Sequence, residues 1–242
     1  MKQGTIYGVG LGPGCQDLMS VRSDRLIRGA SHVAYFRKKG RSGHARSIVE
    51  GLLGAEAIEL PMEYPVTTEI PVADPRYNAL LAAFYESNVA RLSEIADAGQ
   101  DVVVLCEGDP FFYGSFMHLY TRLRERRVPV SVVPGITGMS AAWTATGQPV
   151  TWGDDIMTVL MATLPEAMLT ERIAQTDALV VMKIGRNLDK VRRALARTGR
   201  EDEAWLIEYA AMPKERVLPF REVGDSVPYF SILLIHGNGR RP

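Results

Sequence analysis

Short apolar runs alternate along the chain with stretches whose apolar residues recur every three or four positions. The run "TIYGVGL" near the N-terminus is β-rich and apolar, as a buried first strand should be. "SVRSDRLIRGA" has helical spacing and leads into the strand-like "HVAYF". "NALLAAFYESNVARLSEIADAG" is again helical, with Gly99 placed to stop it. "DVVVLC" reads as a fully apolar strand, "EGDPFFYG" as a turn, and the segment from Ser115 to about Arg126 as a helix. The strand "VPVSVV", the turn "PGITG" and the helix "MSAAWTAT", ending near Gly147, follow. This β-α-β-α order predicts α/β architecture with a largely parallel sheet.

Beyond "GQPVTWGDD" the style repeats. "IMTVLMA" and "DALVVMKI" are predicted strands around a helix near "PEAMLTERIAQ", and "LDKVRRALART" is amphipathic. "AWLIEYA", "RVLPFREV" and "YFSILLIHG" are predicted later strands, the last two joined as a hairpin through "GDSVP". Gly, Gln, Pro and Trp interrupt the periodicity at residues 147–152, which places an expected boundary between domains 1–148 and 149–242. "VTTEIPVADPR" is the expected long surface loop.

Composition narrows the class. The 46% hydrophobic and 23% charged content is that of an ordinary soluble globular enzyme. Basic and acidic residues both number 28, so there is no general case for nucleic acid. Charge is nevertheless uneven: Arg37, Lys38, Lys39 and Arg41 form one basic cluster, and Arg122, Arg124, Arg126 and Arg127 another. Two distant cysteines, Cys15 and Cys106, exclude a disulfide framework or a cysteine zinc site and suit a reducing cytoplasm. The chain has no apolar run of the roughly 18 residues that a membrane span needs and no apolar leader, so a cytoplasmic location is expected. His32, His44, His118 and His236 have no ligand spacing, so no metal is expected.

The candidate chemistry lies in three Gly/Pro turns. "GVGLGPG" follows the first strand but is not a dinucleotide fingerprint: the third glycine position falls on Pro13 in one register and Cys15 in the other. No acid stands between Asp24 and Glu50 to hold a ribose, and no Lys-Ser or Lys-Thr pair closes a Walker loop. "VVVLCEGDPFFYG" and "SVVPGITGMSAA" likewise put Gly and Pro beyond a buried strand. Ligands of open α/β sheets bind outside those strand ends, so the three turns are expected to meet at one rim.

"VGLGPG", "EGDPFFYG" and "VPGITGMSAA", in that order and spacing, resemble the three signature segments of the tetrapyrrole (corrin/porphyrin) methylases. The resemblance runs from Thr5 to the terminal strands. It implies S-adenosyl-L-methionine as methyl donor, S-adenosyl-L-homocysteine as product, two α/β domains with the cofactor in the cleft between them, and a homodimer. "YFRKKG" and the long "VTTEIPVADPR…YNALLAAFYE" insertion resemble the branch that methylates precorrin-2 at its C20 meso carbon. Cobalt-precorrin-2 and uroporphyrinogen III are the alternative acceptors. Many relatives read G-P-G-D where this chain has Cys15, with Asp17 two residues on, which argues against the uroporphyrinogen branch.

The resemblance also implies site residues. Pro13 matches the first-loop proline near the cofactor, and Glu107, Gly108 and Asp109 match the turn whose backbone contacts its methionine part. Phe112 matches the apolar residue beyond, Thr137 and Gly138 a cofactor-lining pair, and Met182 and Ala211 two positions around the adenine. Arg37, Lys38 and Lys39 are either a solvated edge or the partners of an octa-carboxylate tetrapyrrole. Asp109 could cap the helix starting near Ser115, although Pro110 favours a loop-shaping role. No catalytic residue is assigned; Tyr35, Tyr113 and Asp17 are candidates for a base that removes the meso proton. Two readings from other classes stay open: an NADP-dependent oxidoreductase, with the Arg37–Lys39 run on the 2′-phosphate, and a non-catalytic tetrapyrrole carrier.

Overall fold

The computed structural model describes residues 2–66, 70 and 74–239, and most of the expected loop "VTTEIPVADPR" lies outside the described residues. The chain divides into two compact units, Met1–Thr137 and Gly138–Pro242.

The first unit is built on five strands, β1 (Ile6–Gly10), β2 (His32–Lys38), β3 (Ile58–Tyr64), β4 (Val102–Cys106) and β5 (Val130–Val133). All pair in parallel, in the order β3-β2-β4-β1-β5. A parallel sheet is covered on both faces, so its central strands read as continuous apolar runs, and every residue of β4 is buried. Alternate side chains serve opposite faces. Val102 and Val104 join Ile6 beneath Tyr85, Val89 and Leu92 of α3 (Pro75–Asp97) and Leu119 and Leu123 of α4 (Phe116–Glu125). Val103 and Leu105 join Val9 and Leu11 beneath Ile27 of α1 (Val21–Arg28) and Ala45 and Ile48 of α2 (His44–Ile48). Ser20 accepts the Ser23 amide at the start of α1, and Asp74 accepts the Arg76 amide at the start of α3 with Pro75 in the first turn. Sequence pattern missed α2 and β3.

The second unit has a mixed sheet of β6 (Met157–Met161), β7 (Ala178–Met182), β8 (Ala204–Glu208), β9 (Arg216–Pro219) and β10 (Ser231–Ile235), in the order β6-β7-β10-β8-β9. Only β6 and β7 pair in parallel, so the expectation of a largely parallel sheet holds for the first unit and not the second. The predicted hairpin of the last two strands is also corrected. Both β9 and β10 pair antiparallel with β8, so they run the same way, and a tight turn joins only antiparallel neighbours. "RVLPFREV" is strand only to Pro219; Phe220 then opens a 3-10 turn and is fully buried, with the Arg192 guanidinium 5.3 Å above its ring.

One face of this sheet packs Val181, Leu206 and Leu233 against α6 (Glu166–Ala174) and α7 (Leu188–Thr198). The other packs Val180, Ile207 and Leu234 against Ala141 and Ala142 of α5 (Gly138–Ala145). This packing ties α5 to the second unit, so the division falls after Thr137, ahead of the boundary expected near residue 148. No helix of the described residues is long and apolar enough to cross a membrane.

Candidate functional site

Because β4, β1 and β5 are adjacent and parallel, the turns that leave them emerge at one edge of the first sheet. Hydrogen bonds then knit the turns together. The Leu11 amide donates to the Cys106 carbonyl at 2.9 Å. Gly12 and Gly108 form an isolated antiparallel bridge, with the Gly108 amide 2.8 Å from the Gly12 carbonyl and the reverse bond at 3.4 Å. The Asp109 carboxylate accepts the Phe111 amide on one oxygen at 2.8 Å and the Gly135 amide on the other at 3.0 Å. Asp109 is therefore a tie between the second and third turns and not the cap of α4. Glycine is required where these backbones touch: a Cβ on Gly135 would lie 2.0 Å from the Gly108 oxygen, and one on Gly10 would lie 2.6 Å from the Gly135 nitrogen.

This knitting decides what the rim can offer a ligand. A phosphate cradle needs free N–H groups converging on one point. Here the amides of Leu11, Gly12, Gly108, Phe111, Phe112 and Gly135 are spent inside the turns, and Pro13, Pro110 and Pro134 have none to give. The charged side chains of the second turn are two carboxylates, Glu107 and Asp109. Acceptors and negative charge suit a cation and oppose a dinucleotide's phosphates. The carbonyls of Gly12 and Gly108 are themselves engaged with each other's amides.

Residues 5–223 match the family described as Tetrapyrrole (Corrin/Porphyrin) Methylases. The chain belongs to this family. It is 46% identical over 240 residues, 99% of this chain and 98% of the other, to a precorrin-2 C(20)-methyltransferase of Sinorhizobium sp. It is 27% identical, over 96% of each chain, to a cobalt-precorrin-2 C(20)-methyltransferase of Salmonella typhimurium (strain LT2). Among solved structures, a uroporphyrin-III C-methyl transferase of Thermus thermophilus complexed with S-adenyl homocysteine has the same fold, with a TM-score of 0.69 and 23% identity over 96% of this chain and 92% of that one.

In this methylase Pro13 is buried in the first turn, while Gly108 and Asp109 sit half-buried and Glu107 exposed in the second. Phe112 is half-buried, its ring edge-on to Tyr113, which holds a left-handed φ of 53°. Thr137 ends the first unit and Gly138 opens α5. Within the second unit, Met182 closes β7, and its carbonyl accepts the Ala162 amide at 2.8 Å. Ala211, at φ 58°, follows β8 and donates its amide to Glu215 at 2.7 Å. Both border the apolar cluster under α5.

Arg37 and Lys38 end β2, the strand beside β4. Arg37 is held by Glu63 at 2.7 Å, whereas Lys38 and Lys39 are exposed. A shallow hollow of about 250 Å³ lies at the opposite edge of the first sheet, where Ser31, Gly99 and Asp101 line it, and it contains none of these residues.

The candidate bases fall in different settings. Tyr35 is 5% exposed and donates its hydroxyl to Glu59; burial first, and then that bond, push its pKa up, so it is poorly placed to act. Asp17 is exposed on the 3-10 turn Gln16–Leu18, and Tyr113 is exposed beyond Phe112. Burial likewise pushes the Cys106 thiol well up, in keeping with a core role. His44 Nδ1 lies 3.5 Å from the Glu107 carboxylate, a proximity that the sequence did not show. Spacing could not find it, because the two residues come from different elements and meet only in the fold. Among the described residues no cluster of three His, Cys, Asp or Glu could hold a metal.

Proposed function

We propose that this methylase transfers a methyl group from S-adenosyl-L-methionine to the C20 meso carbon of precorrin-2, giving precorrin-3A on the way to the corrin ring of cobalamin. The observation that carries the reading is the 46% identity that spans nearly the whole of both chains. The lower identity, 27%, to the relative named for cobalt-precorrin-2 favours the cobalt-free acceptor.

The rim fits the donor, since six amides of its turns are engaged within them and the charged side chains of the second turn are carboxylates. The cofactor supplies a methyl already activated on a sulfonium. The negative charge of the second turn favours that cation, and the ties through Gly12, Gly108 and Asp109 brace the turns against one another. Orientation alone can supply roughly 7–11 kcal/mol. Glu107, Gly108 and Asp109 are the residues assigned to its methionine part, and Pro13, Phe112, Thr137 and Gly138 are assigned to the cofactor's surroundings. The assignment of Met182 and Ala211 to the adenine rests on the family resemblance alone, as does a homodimer, and a cytoplasmic location rests on the two distant cysteines. Arg37, Lys38 and Lys39 are assigned to substrate carboxylates.

The test is mass spectrometry of the product formed from precorrin-2, with and without cobalt, and isotopic location of the new methyl. Calorimetry should show S-adenosylhomocysteine bound at roughly micromolar strength. Wild type that binds none of it ends the reading.

A further inference from the structure

The ladder between β1 and β5 stops short of the rim, and two side chains take over where it stops. The strands pair with Ile6 opposite Val130 and Val9 opposite Val133. In a parallel ladder every second residue bonds to the same neighbour. The Ile6 amide donates to the Pro129 carbonyl at 2.9 Å, which puts Gly8 and Gly10 on the β5 side as well. One further step would set Gly10 opposite Pro134 and give its carbonyl the Gly135 amide. That amide goes instead to the Asp109 carboxylate at 3.0 Å, and the Gly10 carbonyl accepts the Ser23 hydroxyl at 2.8 Å. One backbone bond is thus exchanged for two side-chain bonds. The exchange falls where all three turns touch, since a Cβ on Gly10 would lie 2.6 Å from the Gly135 nitrogen and 2.9 Å from the Gly108 oxygen.

We propose that Ser23 is a positioning residue for the cofactor: its hydroxyl holds the Gly10 carbonyl so that Gly135 stays with Asp109 and the first and third turns keep their places. The proposal rests on the methyl-donor reading above and adds a residue that acts through the main chain, not by touching the cofactor. A carbonyl deprived of its donor in a buried place costs more than the bond itself was worth. Without the Ser23 hydroxyl, the nearest remedy for Gly10 is the Gly135 amide, and taking it breaks the tie between the second and third turns.

The start of α1 makes this hydroxyl a directed donor. Ser20 caps the helix by accepting the Ser23 amide at 3.0 Å, and its own hydroxyl lies 2.8 Å from that of Ser23. Ser23 has one proton to give and gives it to Gly10, so Ser20 is the donor between the two hydroxyls. Four polar side chains are buried among the described residues, and Ser23, at 0% exposure, is the only one of them in the first unit. One turn along the same face, Ile27 packs with Val9 and Leu11, so the helix itself would be served as well by an apolar residue at position 23. Buried polar groups are kept where a partner needs them, and the partner here is the Gly10 carbonyl.

The experiment pairs S-adenosylhomocysteine calorimetry with thermal unfolding of the full chain, for wild type, Ser23→Ala, Asp109→Ala, the double variant and Ile27→Val. Ser23→Ala should weaken binding by more than about threefold. Ile27→Val thins the same cluster without touching Gly10, and should lower Tm while holding affinity within about threefold of wild type. In the double variant the Gly10 carbonyl and the Gly135 amide are both released and can complete the ladder with each other. Its Tm should therefore stand above the value given by adding the two single losses, while its affinity stays as weak as that of the weaker single variant. Additive losses of Tm overturn the exchange of bonds on which the proposal stands. A folded Ser23→Ala that binds within about threefold of wild type overturns the positioning role, and so does an equal loss of affinity in Ile27→Val. Wild type that binds no S-adenosylhomocysteine sinks the donor reading and the positioning role with it. Ser23→Cys keeps the volume with a weaker donor and replaces Ser23→Ala in each comparison if the latter does not fold.

Discussion

Asp109 bridges two turns with one carboxylate, so removing it should loosen the rim before it affects the rest of the fold. Asp109→Ala leaves the Phe111 and Gly135 amides without their acceptors. Two such bonds are worth about 0.5–1.5 kcal/mol each, and about 1.4 kcal/mol is tenfold in affinity. The variant should therefore bind S-adenosylhomocysteine at least about tenfold more weakly by calorimetry. Unchanged affinity would mean that the Gly12–Gly108 bridge holds the turns unaided. The turns themselves were legible in the sequence, because Gly and Pro after an apolar strand permit few other conformations. Which amide meets which acceptor was not, and neither was the meeting of His44 with Glu107. Those contacts exist only once β1, β2, β4 and β5 are side by side.

Periodicity at the level of elements finds strands but does not order them. It located β10 as an apolar run and gave it the wrong neighbour, since pairing depends on long-range direction. Edge strands are harder still: β3 carries exposed Ile58 and Glu59, with Pro61 inside it, a composition tolerated because an edge strand has one unpaired side. The order β6-β7-β10-β8-β9 has a measurable consequence. Amides of β10 are enclosed between β7 and β8, while β9 is bonded on one side and starts at exposed Arg216. Native-state hydrogen exchange should therefore release β9 amides well before those of β10. Simultaneous exchange of the two strands would instead favour the hairpin that the sequence suggested.

With basic and acidic residues balanced at 28 each, the molecule as a whole exerts no net pull on an anionic substrate. Any attraction must be local, and the two basic clusters differ in what they can spare. Arg122 and Arg126 both pair with Glu86; Arg122 and Arg124 lie in the last turn of α4 and Arg126 caps it, where positive charge offsets the helix dipole. These three are accounted for by the fold. In the other, Arg37 is engaged with Glu63, so exposed Lys38, Lys39 and Arg41 carry the spare charge. Exposed pairs weaken as salt shortens the screening length, from about 10 Å at about 0.1 M to about 3 Å at 1 M. Raising salt across that range should raise KM for precorrin-2 several-fold and leave kcat nearly unchanged. The double variant Lys38→Ala, Lys39→Ala should begin with the high KM and show little further dependence on salt. A double variant that keeps the wild-type salt slope would place the substrate's carboxylates against other cations, and the basic run would then be a solvated edge.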